Sequence, residues 1–355
     1  MAHLKLFFWI ACFLVVGELG LEVRAKLRGW ETILFGPAIS VQSVPQRGQG
    51  DREFGPTSSF PFRSRIIPMK KRPGSHRYWV ASSSHAEDGY LPPLMIFPNI
   101  LERLLKEEMG DAAVLNASRA GIDIPDNGND LKRWGEQWRP DYVILYQLSL
   151  TIGSIAKRTL AGTRAQGAPV LNHAAKAVGP ITWVNRLVEM TSIYANVKGQ
   201  ISARIGPNRV LANDLGLQGE QEFDVMLQDF IETTRAIGSV PVLTTFATSH
   251  TRKQLTVFPN DISLFLFKYS SFLSVEGWVT SVERLNAVVR RVAAQEGIML
   301  IDVESAVAGR PELFKDFVHF TPAGHEVVAR TMRDALMELE RGEPVPSVVP
   351  RGAVQ

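Results

Sequence analysis

Asp316 and His319 stand three residues apart in the run Asp316-Phe317-Val318-His319-Phe320-Thr321-Pro322-Ala323-Gly324-His325. A carboxylate at that spacing can hold an imidazole in one tautomer, which is what a general base in hydrolysis requires. Thr321 suits a helix N-cap and Pro322 the first helical position. Behind them Val328, Met332, Leu336 and Leu339 recur at helical spacing. The reading is a rim loop that delivers two polar groups and runs straight into a helix anchored by one apolar face. The matching nucleophile has to come from upstream. Ala81-Ser82-Ser83-Ser84-His85 follows a short apolar run, Arg77–Ala81. A serine at a strand's carboxyl end can present its oxygen beside free backbone N–H groups. A serine-rich turn capping the next helix would look the same.

Positioning such groups needs a scaffold, and from Arg77 onward the pattern alternates between strands and helices. Strands are expected at Arg77–Ala81, Ala112–Asn116, Asp141–Tyr146 (entered from Pro140), Val240–Phe246 and Ile298–Asp302. Between them, Ile96, Phe97, Ile100, Leu101, Leu104 and Leu105 mark a helix that Gly110 can stop. Phe223 to Ile237 marks another, ending at Gly238, and Val279 to Val292 a third, closed by Gly297. Five apolar strands separated by helices call for a parallel sheet covered on both faces. In such sheets the active site sits at the carboxyl ends of the strands. The stretch of about 152–220 breaks the alternation and reads as an insertion near that edge, able to shape a substrate cleft.

The chain of 355 residues is 45% hydrophobic and 21% charged, ordinary for a globular protein. Its net charge of +3 is unevenly spread. Residues 1–75 hold 11 Lys/Arg against 5 Asp/Glu, a surplus of six, which leaves the remainder at −3. The basic surplus thus belongs to the approach segment, and the body lacks the basic face that a nucleic-acid partner would need. The single cysteine, Cys12, excludes an intrachain disulfide and a cysteine metal site. Leu6 to Gly17 is uncharged and follows Lys5, so residues 1–29 are expected to be an N-terminal membrane anchor, or a cleaved signal segment. Residues 30–75 read as a basic Pro/Gly-containing tether, 76–340 as the folded domain, and 341–355 as a tail.

A Ser after the first strand, Asn116-Ala117-Ser118-Arg119-Ala120-Gly121 after the second, Pro140-Asp141 opening the third, and Asp316-x-x-His319 before the last helix together resemble the SGNH (GDSL-like) hydrolase family. The resemblance covers about residues 77–339. It implies a three-layer α/β/α fold and an ester hydrolase with a Ser-His-Asp triad and no cofactor. Carried over, Ser83 is the nucleophile, with Ser84 the alternative one residue on. His319 is then the general base and Asp316 its orienter, and the backbone N–H groups of Ser83 and Ser118 form the oxyanion hole. Two positions depart from the family pattern. Ser118 stands where a Gly is usual, and Leu150 where an Asn donates from its side chain. Leucine has no hydrogen to donate, so Gln147, Ser149 or Asn127 would have to substitute.

By analogy the resemblance implies O-acetyl groups of surface polysaccharide as substrate, handled by a membrane-anchored extracytoplasmic enzyme, or a secreted one if the leader is cleaved. An acyltransferase on surface glycans would use the same acyl-serine, and a non-catalytic glycan-binding descendant would account for Leu150. Nucleotide binding is disfavoured, since no Gly-rich loop follows the first strand. Among other residues, His325 reads as a surface or capping residue and His85 as a solvated loop histidine. His173 and His250 lie in irregular stretches. Asp316, His319 and His325 lack a fourth ligand that would close a metal site. The sequon Asn116-Ala117-Ser118 ends a buried strand and reads as accidental.

Overall fold

His76–Ser82 (β1) is a strand with no exposed face: Tyr78, Trp79, Val80 and Ala81 are all buried. That continuous apolar run suits the interior of a parallel sheet, where helices cover both sides. In the computed structural model β1 pairs with Ala112–Asn116 (β2) on one side and Tyr142–Tyr146 (β3) on the other. Val240–Thr244 (β4) and Met299–Ile301 (β5) extend the sheet beyond β3. The order is β2-β1-β3-β4-β5, every pair parallel, so the fold is α/β with a five-stranded parallel sheet of flavodoxin-like order. The described residues are 16–20, 23, 53–57, 59–161, 211–257, 266 and 272–341.

The helices divide by the direction of each crossover. A right-handed connection from β1 out to β2 puts its helix on one face, while those running from β2 across to β3, β4 and β5 put theirs on the other. Accordingly Phe97–Met109 (α2, between β1 and β2) packs against Pro322–Glu340 (α8), the helix after β5. Val303–Val307 (α7) lies against α8 on the same side. The other layer holds Ile124–Trp138 (α3), Gly216–Ala236 (α5) and Val275–Glu296 (α6), with Ser149–Ala161 (α4) against the last two. Between β1 and α2 lies the four-residue helix Ser84–Glu87 (α1). The three layers enclose one apolar core running from Phe60 to Leu336.

Local signals explain the ends. Ser274 caps α6 by accepting from the Gly277 N–H, and Gly297, at φ 61°, takes the left-handed conformation that closes it. Thr321 caps α8 through the Gly324 N–H, with Pro322 in the first turn, as its sequence indicates. Helix α3 opens on a reciprocal capping box between Asp123 and Asp126. Asp141 anchors the amino end of the sheet, accepting from the Arg77 N–H at 2.7 Å and pairing with Lys71.

The stretch expected as a tether is corrected in its last part. Phe60 and Phe62 are buried, and meet Trp79 and Trp138 edge to face with ring centroids 5.0–5.2 Å apart. Burying two such side chains contributes about 1.5–3 kcal/mol each, which binds this segment to the core. The chain divides into two units, Met1–Gln46 with Arg164–Leu211, and Arg47–Thr163 with Ala212–Gln355. The architecture above belongs to the second. In the first, residues 16–20 are helical. Among the described residues no helix is long and apolar enough to cross a membrane. The expected anchor lies outside them apart from residues 16–20 and 23, as do residues 162–210 of the expected insertion and all but the first residue of the tail.

Candidate active site

The carboxyl ends of β1 and β3 lie side by side, with Ser82 paired to Tyr146. Here three consecutive serines send their hydroxyls in three directions. Ser82 Oγ donates to the Tyr146 carbonyl. Ser83 is the N-cap of α1 and is fully buried, its Oγ 3.0 Å from His85 Nδ1. Ser84, half-buried at the first position of α1, has its Oγ 2.8 Å from His319 Nε2. The expectation of Ser83 against His319 is therefore corrected by one residue. The strand ends at Ser82 and a helix starts at Ser84, so side-chain direction no longer alternates with the strand period across the run.

The partner loop is built on the same economy of short range. Phe317 and Val318 are buried, Phe317 edge-on to Trp278, and this leaves the flanking Asp316 and His319 half-buried at the rim. The Ser249 N–H donates to the Phe317 carbonyl and the Lys315 N–H to the His319 carbonyl, pinning the loop at both ends. Asp316 Oδ2 is 2.7 Å from His319 Nδ1, while its Oδ1 accepts from the backbone N–H groups of Val318 and His319 at 2.9 Å each. Asp316, His319 and Ser84 thus form one continuous line of hydrogen bonds. Gly324 lets α8 come up close behind it, since a Cβ there would lie 2.1 Å from the Leu313 carbonyl oxygen.

The charges follow from these contacts. Burial pushes the Asp316 carboxyl up, but the hydrogen bond and charge of His319 and the two backbone donors outweigh it and hold it below the usual carboxylate range. Burial would lower His319, and the hydrogen bond and charge of Asp316, helped by the charge of Asp88, raise it above an ordinary imidazole instead. An ionised carboxylate behind a raised imidazole keeps the Nδ1 proton on the Asp316 side and leaves Nε2 to accept from Ser84.

Two histidines depart from their expected places. His85 is fully buried, its ring stacked on that of His319 with centroids 5.4 Å apart and its Nε2 2.9 Å from Ser149 Oγ. His325 is also fully buried and accepts from the Phe97 N–H at Nδ1, with Nε2 3.1 Å from Asp88 Oδ2. It therefore bridges the residue that ends α1 to the helix that follows His319. Burial, the first cause in each case, pushes both imidazoles down, His85 well below its ordinary value. With both its nitrogens engaged, His325 does not converge with Asp316 and His319 on a metal. Sequence could show neither burial, because the partners come from distant segments.

The expected oxyanion donors are redistributed. Asn116 Oδ1 accepts from the Ser118 N–H at 3.2 Å, so that group is committed inside the protein, as in an Asx turn. The Asn116 amide donates to the Ala86 carbonyl and the Ala120 N–H to Glu87, so this loop braces α1. Gln147 donates to the Ile122 carbonyl and Asn127 to that of Asp123. Leu150 is half-buried. The Ala86 and Glu87 N–H groups of α1 meet the Ser83 carbonyl, while those of Ser84 and His85 have no carbonyl within the helix to meet.

The site and sheet define a doubly wound α/β protein with a Ser84–His319–Asp316 hydrogen-bond line at the carboxyl edge. No protein-family model matches the chain, and no curated protein does. Among solved structures it is similar to a member of the lipolytic protein G-D-S-L family from Veillonella parvula, at 10% identity and a TM-score of 0.43, covering 74% of this chain and 99% of that one. It is also similar to an acetyl-xylooligosaccharide esterase from Geobacillus, at 14% identity and a TM-score of 0.43, covering 75% and 96%. A GDSL-like lipase from Bacteroides thetaiotaomicron matches at 11% identity and a TM-score of 0.43, covering 77% and 93%. Likenesses this distant add nothing to what the sheet order and the hydrogen-bond line show by themselves.

Proposed function

We propose that this protein is a serine hydrolase of ester bonds, with Ser84 as nucleophile, His319 as general base and Asp316 as its orienter. The observation that carries this reading is the continuous line from Ser84 Oγ through His319 to Asp316, at 2.8 and 2.7 Å. As Ser84 Oγ attacks the ester carbonyl, its proton passes to His319 Nε2 and the carbonyl becomes an oxyanion. The backbone N–H of Ser84 supports that charge, and Asp316 supports the imidazolium. Collapse expels the alcohol, which takes the proton from Nε2 and leaves acyl-Ser84. A water then attacks, again losing its proton to His319, and the acid departs as the Ser84 hydroxyl re-forms.

O-acetyl groups on surface polysaccharide are the substrate class that the sequence resemblance favours. An extracytoplasmic setting rests on the apolar run Leu6–Gly17 alone. Labelling of the full chain with a fluorophosphonate, followed by peptide mapping, tests the central assignment. The label is expected on Ser84, retained in Ser83→Ala and lost in His319→Ala. Labelling on Ser83, or none at all where a known serine esterase reacts fully, would overturn it.

A further inference from the structure

Ser83 Oγ and Ser149 Oγ both hydrogen-bond to the same ring, that of His85, one at each nitrogen. Neither hydroxyl has a second hydrogen-bond partner among the described residues. A neutral imidazole carries one N–H, so one serine must donate to it and the other accept. Ser83 is fully buried, and if it accepted, its own proton would be left without an acceptor, an arrangement native structures avoid. Ser83 therefore donates to Nδ1, the proton sits on Nε2, and Ser149 accepts. The Ser149 hydroxyl proton is then turned away from the ring. Ser149 is only half-buried and opens α4 at the carboxyl end of β3, the strand paired with the one that delivers Ser84. The stack of His85 on His319 puts this second hydrogen-bond line beside the first.

We propose that Ser149 is a further catalytic residue, its hydroxyl donating to the oxyanion formed at Ser84, with His85 as the positioning residue that fixes its direction. This deepens the ester-hydrolase reading and rests on it. The arrangement supplies a neutral donor at the sheet edge where Leu150 has none, and it holds that donor before the substrate arrives, as charge stabilisation requires. Burial and the charge of the neighbouring His319 hold the His85 pKa well below an ordinary imidazole's, which favours the neutral ring the relay needs.

The test uses the full chain and p-nitrophenyl acetate as probe ester. Ser149→Ala is expected to lower kcat by about 10²–10³-fold with little change in KM, and Ser149→Thr, which keeps the hydroxyl, to recover most of that loss. Nitrogen-15 NMR of the His85 ring is expected to show the neutral Nε2–H form, a readout that needs no turnover. A Nδ1–H form, or a Ser149→Ala variant as active as wild type while Ser84→Ala is dead, overturns the role of Ser149 alone. Absence of turnover in wild type, or wild-type turnover in Ser84→Ala, overturns the hydrolase reading and this inference together.

Discussion

Replacing His325 by leucine probes the clamp between the two halves of the site. Asp88 is 4% exposed and His325 is not exposed at all, so the imidazole seals a carboxylate from water. His325→Leu keeps an apolar group of similar size but strands that carboxylate, with the Tyr90 N–H at 3.3 Å as its remaining hydrogen-bond donor. It also strands the Phe97 N–H, which as the first donor of α2 has no carbonyl in its own helix. Removing the neutral N–H that a buried carboxylate accepts costs about 1.5–3 kcal/mol. At about 2–4 °C per kcal/mol for a domain of this size, the melting temperature should fall by roughly 3–12 °C. Adding Asp88→Asn removes the stranded charge while tolerating the left-handed backbone there, at φ 30°. The double variant should therefore be more stable than His325→Leu by about 1 kcal/mol or more. Urea unfolding of the wild type, both single variants and the double variant measures the coupling. A loss below about 1 kcal/mol in His325→Leu, or strict additivity in the double, would refute the sealed pair.

Three further outcomes follow from the same contacts. Because His319 must be neutral to accept a proton and its pKa is raised, the acid limb of kcat/KM should lie above about pH 6.5. Asp316→Asn should move that limb down and cut kcat by about 10⁴-fold, and a wild-type limb well below that pH would contradict the Asp316–His319 coupling. Gly324→Ala drives a Cβ against the Leu313 carbonyl, so it should cost about 1–3 kcal/mol in thermal unfolding, and an unchanged melting temperature would show that the backbone yields. Stability should decline as the pH falls below about 6.5, because His85 and His325 have depressed pKa values and bind protons more readily when unfolded. His319, whose pKa is raised, acts in the opposite sense, one group against two. A urea midpoint that rises on acidification would refute this balance.

Much of the scaffold was legible because parallel strands bury both faces and so stand out as apolar runs. Ala112–Asn116 is found at its expected bounds, and the other four strands lie within two residues of theirs. Helix α3 was harder to see. Its buried positions Ile124, Leu131 and Trp138 are spaced seven apart among polar residues, and its clearest mark is the cap at Asp123. The contact of Asp316 with His319 was legible because their spacing is local. The serine that meets His319 was legible only to within one residue, because a change from strand to helix inside Ser82-Ser83-Ser84 decides which hydroxyl reaches the imidazole. What stayed hidden was long-range polar pairing. His85 with Ser149 and His325 with Asp88 join segments 64 and 237 residues apart, and no local pattern announces them.

The hydrogen bond between Ser84 and His319 spans 235 residues, with the serine near the first strand and the base just before the last helix. That helix is tied at its far end as well, where Glu340 accepts from Tyr78 of β1 and meets His76. On a ribosome the proposed nucleophile therefore emerges long before the imidazole it bonds to. The sheet must wait for α8 to close over it, from Thr321 at the rim to Glu340 at the opposite edge. On the proposed reading, the chain withholds its chemistry until synthesis of the domain is almost finished, and a nascent fragment of the first three strands carries a serine without its base.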